Sequence, residues 1–395
     1  MCPFKGGCPK LSVYILLQII KYIDTQMDIL LLTTILRTPE KGKIPQVKTI
    51  KDSMYYGMAQ GFISAGHRLT MLAVEDYKPL EEEIYNCNII FFKSRLKKLF
   101  RPNLIPLPAG YYIYIKKHQH EFDLIICGGV FTIPALFIGL LCSSKTVIWN
   151  EAVDHFNMFY KIPSKLWYNI VVRALLRKVL IIPRSIPAYN FISKYSSNVS
   201  REYVDHGVDI SKFSIAEMKK KQFIVVSQLI QRKNINSIIR KFKEVNDIYT
   251  HGEFKLIIAG EGSEELKLKQ LVKELQIENL VEFKGFLNHI ELSVYISESY
   301  ALLVYTLQDL NMVSIPEAIV SGTPVLTNMV PALAGFISEN SLGIAKENWG
   351  ADELIEIIVN NKEYSNQCMK FRDCLSSKGC ASQIISIYEK YKFRV

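Results

Sequence analysis

The chain has 395 residues, 49% hydrophobic and 22% charged, and a formal net charge of +10. That length exceeds one ordinary core and suits two domains of about 150–200 residues each, and the composition excludes a disordered or fibrous chain. The basic excess has two readings: an anionic partner such as nucleotide phosphates or an acidic lipid surface, or simply a chain rich in lysine throughout.

Eight cysteines are scattered without a CxxC pair. A reducing compartment, the cytoplasm, therefore fits better than a disulfide framework. Residues 11–20 form an apolar run of about ten residues, too short to span a bilayer. Lys5 and Lys10 before it imitate a signal peptide, but no small-residue cleavage site follows. Residues 1–26 are accordingly set apart as an N-terminal extension to a folded part that begins at Met27.

From there apolar runs alternate with helical periodicity, the pattern of α/β layers. Residues 28–34 (DILLLTT) predict a first strand, followed by a polar loop holding Gly42. A helix over 52–65 is closed by Gly66, which can take a left-handed cap. Strands are expected at 67–74, 123–127, 145–149 and 179–182. Residues 124–142 are nearly uncharged, but Gly128, Gly129 and Pro134 break them into a strand, a turn and a buried helix, not a membrane span. A second series restarts near Gln222. Strands are predicted at 223–227, 255–259, 281–284, 301–305 and 324–327. Between them lie a helix carrying Ile235, Ile238, Ile239, Phe242 and Val245, and another at 266–275. The domains are thus 27–210 and 211–378. Residues 379–395 close the chain, with a helix at about 383–391 that can fold back on the first domain.

In open parallel sheets ligands bind beyond the carboxyl ends of the strands, where helix N-termini offer free amides. Three segments qualify in the second series. In 227–234 (SQLIQRKN), Arg232 and Lys233 stand at a helix start, which disfavours cations unless an anion such as a pyrophosphate binds there. The other reading is a solvated basic loop. Gly260-Glu261-Gly262 follows a strand and either admits a ligand close to the backbone or merely makes a tight turn. In 305–317 a loop carries Asp309 and Asn311. Ser314 is placed to cap a helix with Pro316 in its first turn and Gly322 and Pro324 at its end. The amides of Met312, Val313, Ser314 and Ile315 are then poised for an anion. Glu317 either complements the helix dipole or accepts two vicinal hydroxyls, as an acidic residue holds ribose in dinucleotide folds.

Asp309-x7-Glu317 followed by AIVSGTPV closely resembles the E-x7-E signature of family 4 retaining glycosyltransferases, the group 1 type. The loop at 227–234 resembles that family's "GRL…KG" loop. Residues 204–213 (VDHGVDISKF) are similar to its "NGVD…F" linker, Gly260-Glu261-Gly262 to its GxG turn, and 338–345 (SENSLGIA) to a late glycine element. The similarity runs through most of 204–350 in the family's order and weakens before residue 120. It implies the GT-B fold, two Rossmann-like doubly wound domains facing across a cleft, with the donor on the C-terminal one. By this resemblance Glu317 would hold the ribose, Asp309 would contact the transferred sugar in the catalytic centre, and Lys233 would meet the diphosphate. Two positions depart from the family: Asp309 is one methylene shorter than the usual Glu, and Gln228 replaces the usual arginine.

No DxD pair occurs, so the expectation is transfer without a metal or other cofactor. Cations and amides would stabilise the departing diphosphate, and retention would follow front-face attack. In the first domain, Glu151 and His155 follow the strand that ends at Trp149 and Asn150. Each is an acid–base candidate by position, or else a satisfied loop residue. Residues 93–101 and 165–180 mix cations with Leu and aromatic side chains. They suit either an interfacial helix at an anionic membrane or ordinary amphipathic helices.

The expected partners are a nucleotide-sugar donor, a saccharide or lipid-linked saccharide acceptor and an anionic membrane surface, with no nucleic acid. The expected place is the cytoplasm, peripheral on the inner face of its membrane. The role is one step of bacterial surface-polysaccharide synthesis. The alternatives are a sugar-nucleotide epimerase of similar fold and a non-catalytic basic membrane-binding module.

Overall fold

The computed structural model describes residues 26–36, 49–51, 53–101, 103, 105–156, 159–249, 252–308 and 312–392. The 11–20 run, the Gly42 loop, Asp309 and Asn311 lie outside them. The described residues divide into two compact units, one formed by 26–207 and 377–392, the other by 208–376. These bounds fall three residues before the expected 210/211 and two before 378/379. The reason is local: Val208 donates its N–H to the Leu375 carbonyl and bridges Ser376, so both junctions lie beside that pair.

In the first unit the chain lays down β1 (Asp28–Leu32), α1 (Met54–Ser64), β2 (Arg68–Val74) and β3 (Asn88–Phe92). A small antiparallel pair follows, β4 (Ser94–Arg95) with β5 (Leu107–Pro108). Then come α2 (Tyr111–His118), β6 (Leu124–Gly128), α3 (Ile133–Leu141) and β7 (Thr146–Asn150). Helix α4 starts at Ile162–Trp167 and continues as a π-helical stretch, Tyr168–Leu175; β8 (Leu180–Pro183) and α5 (Ile186–Ile192) complete the series.

The second unit holds β9 (Gln222–Val226), α6 (Ile235–Ile248), β10 (Lys255–Ala259), α7 (Glu265–Glu274), β11 (Val281–Gly285) and α8 (His289–Glu298). It continues with β12 (Ala301–Val304), α9 (Ser314–Val320), β13 (Val325–Thr327), α10 (Ala334–Glu339), β14 (Gly343–Ala345), α11 (Ala351–Val359) and α12 (Asn361–Phe371). The final helix, α13 (Ser377–Lys392), belongs to the first unit.

Each unit has one six-stranded sheet, ordered β3-β2-β1-β6-β7-β8 and β11-β10-β9-β12-β13-β14, with every pairing parallel. Both follow the doubly wound order in which the chain reverses direction across the sheet after its third strand. The strands are short apolar runs because helices cover both faces. Thus Leu30 and Leu32 face one core layer of the first unit, and Ile29 and Leu31 the other. In α6 the five apolar residues at helical spacing are all buried.

Several elements differ from expectation. β3 and β14 were not read as strands: the first, NIIFF, is a half-buried edge strand, and the second has only three residues. Residues 93–101 are not a helix, because Ser94 and Arg95 pair with β5 and Leu96 has a left-handed φ of 47°. α13 begins six residues before Gln383, in a polar stretch that hides its start. Among the described residues no helix is long and apolar enough to cross a membrane, and the six cysteines are free thiols.

α13 docks on α1 at Gly61, where a Cβ would collide with the Ser377 carbonyl. Gly57, one turn earlier, has 4.0 Å of room to the Ser377 hydroxyl. Gly61→Ala should therefore lose about 1–3 kcal/mol through overpacking, lowering Tm by several degrees. Gly57→Ala should instead hold or raise Tm through better helix propensity, about 0.5–1 kcal/mol. Paired thermal melts of the two variants check this.

Candidate active site

In the second unit the doubly wound order places its switch point between β9 and β12. The loop after β9 holds the two cations. Gln231–Lys233 form a short 3-10 turn, Asn234 takes a left-handed φ of 51°, and α6 begins only at Ile235. Arg232 and Lys233 thus stand just ahead of α6, at its start. Asn234 is among the residue types that tolerate this left-handed step between the two helices.

The Arg232 carbonyl joins this loop to the end of β12. It accepts from Leu307 N–H at 2.8 Å and from Thr306 Oγ1 at 3.0 Å. The Thr306 carbonyl in turn accepts from Asn328 Nδ2 at 2.7 Å. That bond fixes the amide's orientation, since a carbonyl can only accept, and leaves Asn328 Oδ1 buried without a partner among the described residues. Behind them Trp349 donates to the Val304 carbonyl at 2.9 Å, and Lys241 lies over the Tyr305 ring, 4.9 Å from its centre.

Gly260 and Gly262 are needed for close approach, but to protein backbone. A Cβ on either would collide with the carbonyl of Ser227 or Leu229, respectively, and Gly260 has a φ of 135°. Leu229 N–H bonds the Glu261 carbonyl at 2.9 Å, so this turn braces the basic loop. The Glu261 carboxylate accepts from Phe286 N–H at 3.3 Å, which ties the turn to the end of β11.

Downstream, Met312 is buried and Val313 half exposed. Val313, not Ser314, is the N-cap of α9, and no side chain caps it; Ser314 is the first helical residue and is buried. The reason is that Val313 already has helical φ and ψ, so the helix takes Ser314 into its first turn. Ile315 N–H bonds the Met312 carbonyl at 3.2 Å, which removes one of the four amides expected to meet an anion.

Glu317 is buried in that first turn among Ile315, Pro316, Ala318 and Ile319, all buried too. Among the described residues its carboxyl has no hydrogen bond or ion pair, and burial pushes its pKa from 4.5 up to about 8. A carboxyl held neutral in a dry site is costly to ionise, so it signals a ligand more strongly than a surface carboxylate would.

The first unit gathers a different set at the ends of β7 and β8. The buried Arg184 lies over the Trp149 ring, 4.6 Å from its centre. It donates to Asp205 Oδ1 at 2.8 Å and 3.1 Å, lies 3.0 Å from His206 Nδ1 and pairs with Glu151. Burial alone would raise the Asp205 carboxyl, but His206 and Arg184 beside it hold it well below the usual range. Tyr55, edge-on to Trp149 at 6.0 Å, has its phenol pushed up by burial first and by Glu151 second.

Glu151 is therefore fixed by Arg184, with more than half its side chain exposed. His155 stands apart from that cluster. Its Nε2 shares a hydrogen bond with Tyr195 Oη at 2.9 Å and its Nδ1 with Ser164 Oγ at 3.2 Å. Tyr168, Phe191 and Tyr195 enclose the ring, and burial first, then Lys165, Lys161 and Lys194, push it below 6.5 against the pull of Asp154. No contact joins the two acid–base candidates among the described residues. Both ring nitrogens of His155 are occupied, the pattern of a satisfied histidine.

Thr306, Asn328 and Arg184 were missed from the sequence. All three directly follow a strand or stand one residue beyond, so inspecting every strand end would have raised them. Among the described residues no group of three or more His, Cys, Asp or Glu could hold a metal ion.

Two doubly wound parallel sheets of this order make the fold GT-B, and solved structures agree. Sucrose-phosphate synthase from Thermosynechococcus elongatus superimposes with a TM-score of 0.63 at 15% identity, over 94% of this chain and 100% of that one. The lipopolysaccharide outer core galactosyltransferase WaaB gives 0.62 at 15% identity, over 92% and 100%. Residues 208–372 match the family model described as glycosyl transferases group 1. That match lies within the second unit. The chain is 25% identical over 199 residues to the alpha-monoglucosyldiacylglycerol synthase of Streptococcus pneumoniae, covering 46% of this chain and 44% of that protein. The chain thus matches a little under half the length of that curated relative.

The Glu317 carboxyl has its folded pKa raised from 4.5 to about 8. A raised folded pKa means its contribution is fully present below pH 4.5 and is lost as pH rises towards 8, by roughly 1.4 kcal/mol per pH unit. Glu317→Gln cannot ionise, so its Tm should match the parent near pH 4.5 and exceed it by several degrees at pH 8. Melting curves across that range check the sign.

Proposed function

We propose that this chain transfers one sugar, with retention, from a nucleotide-sugar donor to a lipid-linked or oligosaccharide acceptor in bacterial surface-polysaccharide assembly. The observation that carries the donor reading is Glu317, a buried carboxyl without a partner at the start of the helix that follows β12. Vicinal hydroxyls of a ribose would supply the two donors it lacks, lowering its pKa and favouring the carboxylate. The loop of Arg232 and Lys233, tied to the same strand end through Thr306 and Leu307, would meet the diphosphate.

The reaction breaks the bond between the anomeric carbon and the diphosphate oxygen and forms one from that carbon to an acceptor oxygen. The acceptor proton leaves with the diphosphate on the same face. Lys233, Arg232 and the amides of Met312 and Val313 would stabilise charge on the departing group, with Asp309 and Asn311 against the sugar. Preorganised donors of this kind do not require a metal or other cofactor. The acceptor class draws on the relatives: by their names, one is a synthase of alpha-monoglucosyldiacylglycerol and one a galactosyltransferase of the lipopolysaccharide outer core. The six free thiols suit the cytoplasm.

The test is product analysis with a panel of nucleotide sugars and candidate acceptors. Free nucleoside diphosphate and a glycosylated acceptor should appear together. Interconversion of nucleotide sugars without an acceptor would mean an epimerase instead. Lys233→Ala should lower kcat about 10²-fold, the scale of losing one preorganised donor. Unchanged nucleotide-sugar affinity in Glu317→Ala would sink the site assignment.

A further inference from the structure

α4 is apolar on two sides. Tyr168, Val172 and Leu176 lie in the first unit's core, and Trp167 donates to the Val130 carbonyl at 3.0 Å. On another side Ile162, Leu166 and Ile170, spaced four apart, are 54%, 56% and 61% exposed. A helix of a water-facing surface carries one apolar stripe, so the second needs a cover.

The neighbouring helices extend that face. α3 crosses α4 closely because Gly139 leaves room: a Cβ there would lie 2.7 Å from the Leu176 side chain. α2 packs on α3 through Tyr112, edge-on to Phe137 at 5.4 Å. From these two helices Leu140 and Ile113 emerge 56% and 70% exposed.

These three helices carry cations and no acids. Lys116 and Lys117 are exposed on α2, and Lys165, Arg173 and Arg177 on α4 and just beyond it. No Asp or Glu occurs anywhere in 124–150 or 155–201. The flanking acids are engaged: Asp123 accepts from Asp28 N–H, and Glu121, Glu151, Asp154 and Glu202 pair with His118, Arg184, Lys161 and Lys390.

We infer that the face built from α2, α3 and α4 docks on the surface of an anionic lipid bilayer. Its apolar side chains would enter the boundary between headgroups and acyl chains while the cations meet lipid phosphates. Charge selects this occupant. A second copy presenting the same face would set lysine and arginine against lysine and arginine, whereas an acidic bilayer complements them. Its use rests on the reading of a lipid-linked acceptor, but the binding itself does not depend on donor or acceptor.

The experiment floats the whole chain with vesicles, without substrates. It should rise with phosphatidylcholine vesicles containing phosphatidylglycerol, rise weakly with phosphatidylcholine alone, and be partly released by salt. Ile162→Ser, Leu166→Ser and Ile170→Ser together should lower the bound fraction about tenfold or more, with the melt and nucleotide-sugar binding unchanged. Lys116→Glu with Lys117→Glu should do likewise on the acidic vesicles only.

Three results would overturn the inference: no flotation of the parent chain, unaltered flotation of the triple variant, or conversion of a dimer to a monomer by that variant. Transfer to a water-soluble acceptor in vesicle-free buffer tests the glycosyltransferase reading separately, so failure of either is distinguishable.

Discussion

The Arg232 carbonyl accepts two hydrogen bonds, from Thr306 Oγ1 and Leu307 N–H, across the switch point of the second sheet. Parallel strands end in loops that share no ladder, so nothing in the sheet itself fixes one strand-end loop against the next. This bifurcated contact supplies that constraint. On one side it holds the basic turn braced by Gly260 and Gly262; on the other it holds the strand end from which the Glu317 helix is reached. The basic loop and the strand end are thereby aligned by hydrogen bonds to one backbone carbonyl.

Glu317 shows the opposite economy. Among the described residues its carboxyl is buried without a partner, a condition that destabilises the folded chain above its unfolded pKa. Natural sites retain such a group where a ligand completes it. Asn328 repeats the theme with a buried carboxamide oxygen whose amide end is already held by Thr306. On the proposed function, an incoming ligand would relieve both of these groups, which are unsatisfied among the described residues.

The first unit behaves differently. Its buried cation, Arg184, is saturated by Asp205, Glu151 and the Trp149 ring, and Trp149 also donates to the Val204 carbonyl at 2.7 Å. These contacts fasten residues 204–206 to the ends of β7 and β8, just ahead of the junction at 207/208. In the second unit Arg372 does the same on the far side, donating to the Ile210 and Phe213 carbonyls, each at 2.9 Å. The connecting segment is therefore anchored by an arginine within each unit. Glu151 is better understood as part of that anchoring than as a free acid, and His155 as an aromatic-cage histidine.

By itself the sequence determined the α/β class, most strands of both sheets, and the group 1 pattern from 204 to 350. Apolar runs bounded by turns are imposed by burial on both faces of a parallel sheet, and that pattern is local. β3 went unread although residues 89–92 form such a run, and β14 escaped because three residues are too few. So did the true start of α13, hidden in a polar stretch. What only the tertiary structure decided was which candidates are free to act. Glu317 was an ordinary helix-start carboxylate until burial stripped it of partners. Gly260 and Gly262 were ligand candidates until Ser227 and Leu229 filled the space before them. The second apolar row of α4 became visible only once the first was seen to be buried. Long-range packing sets each of these, and no window of neighbouring residues encodes it.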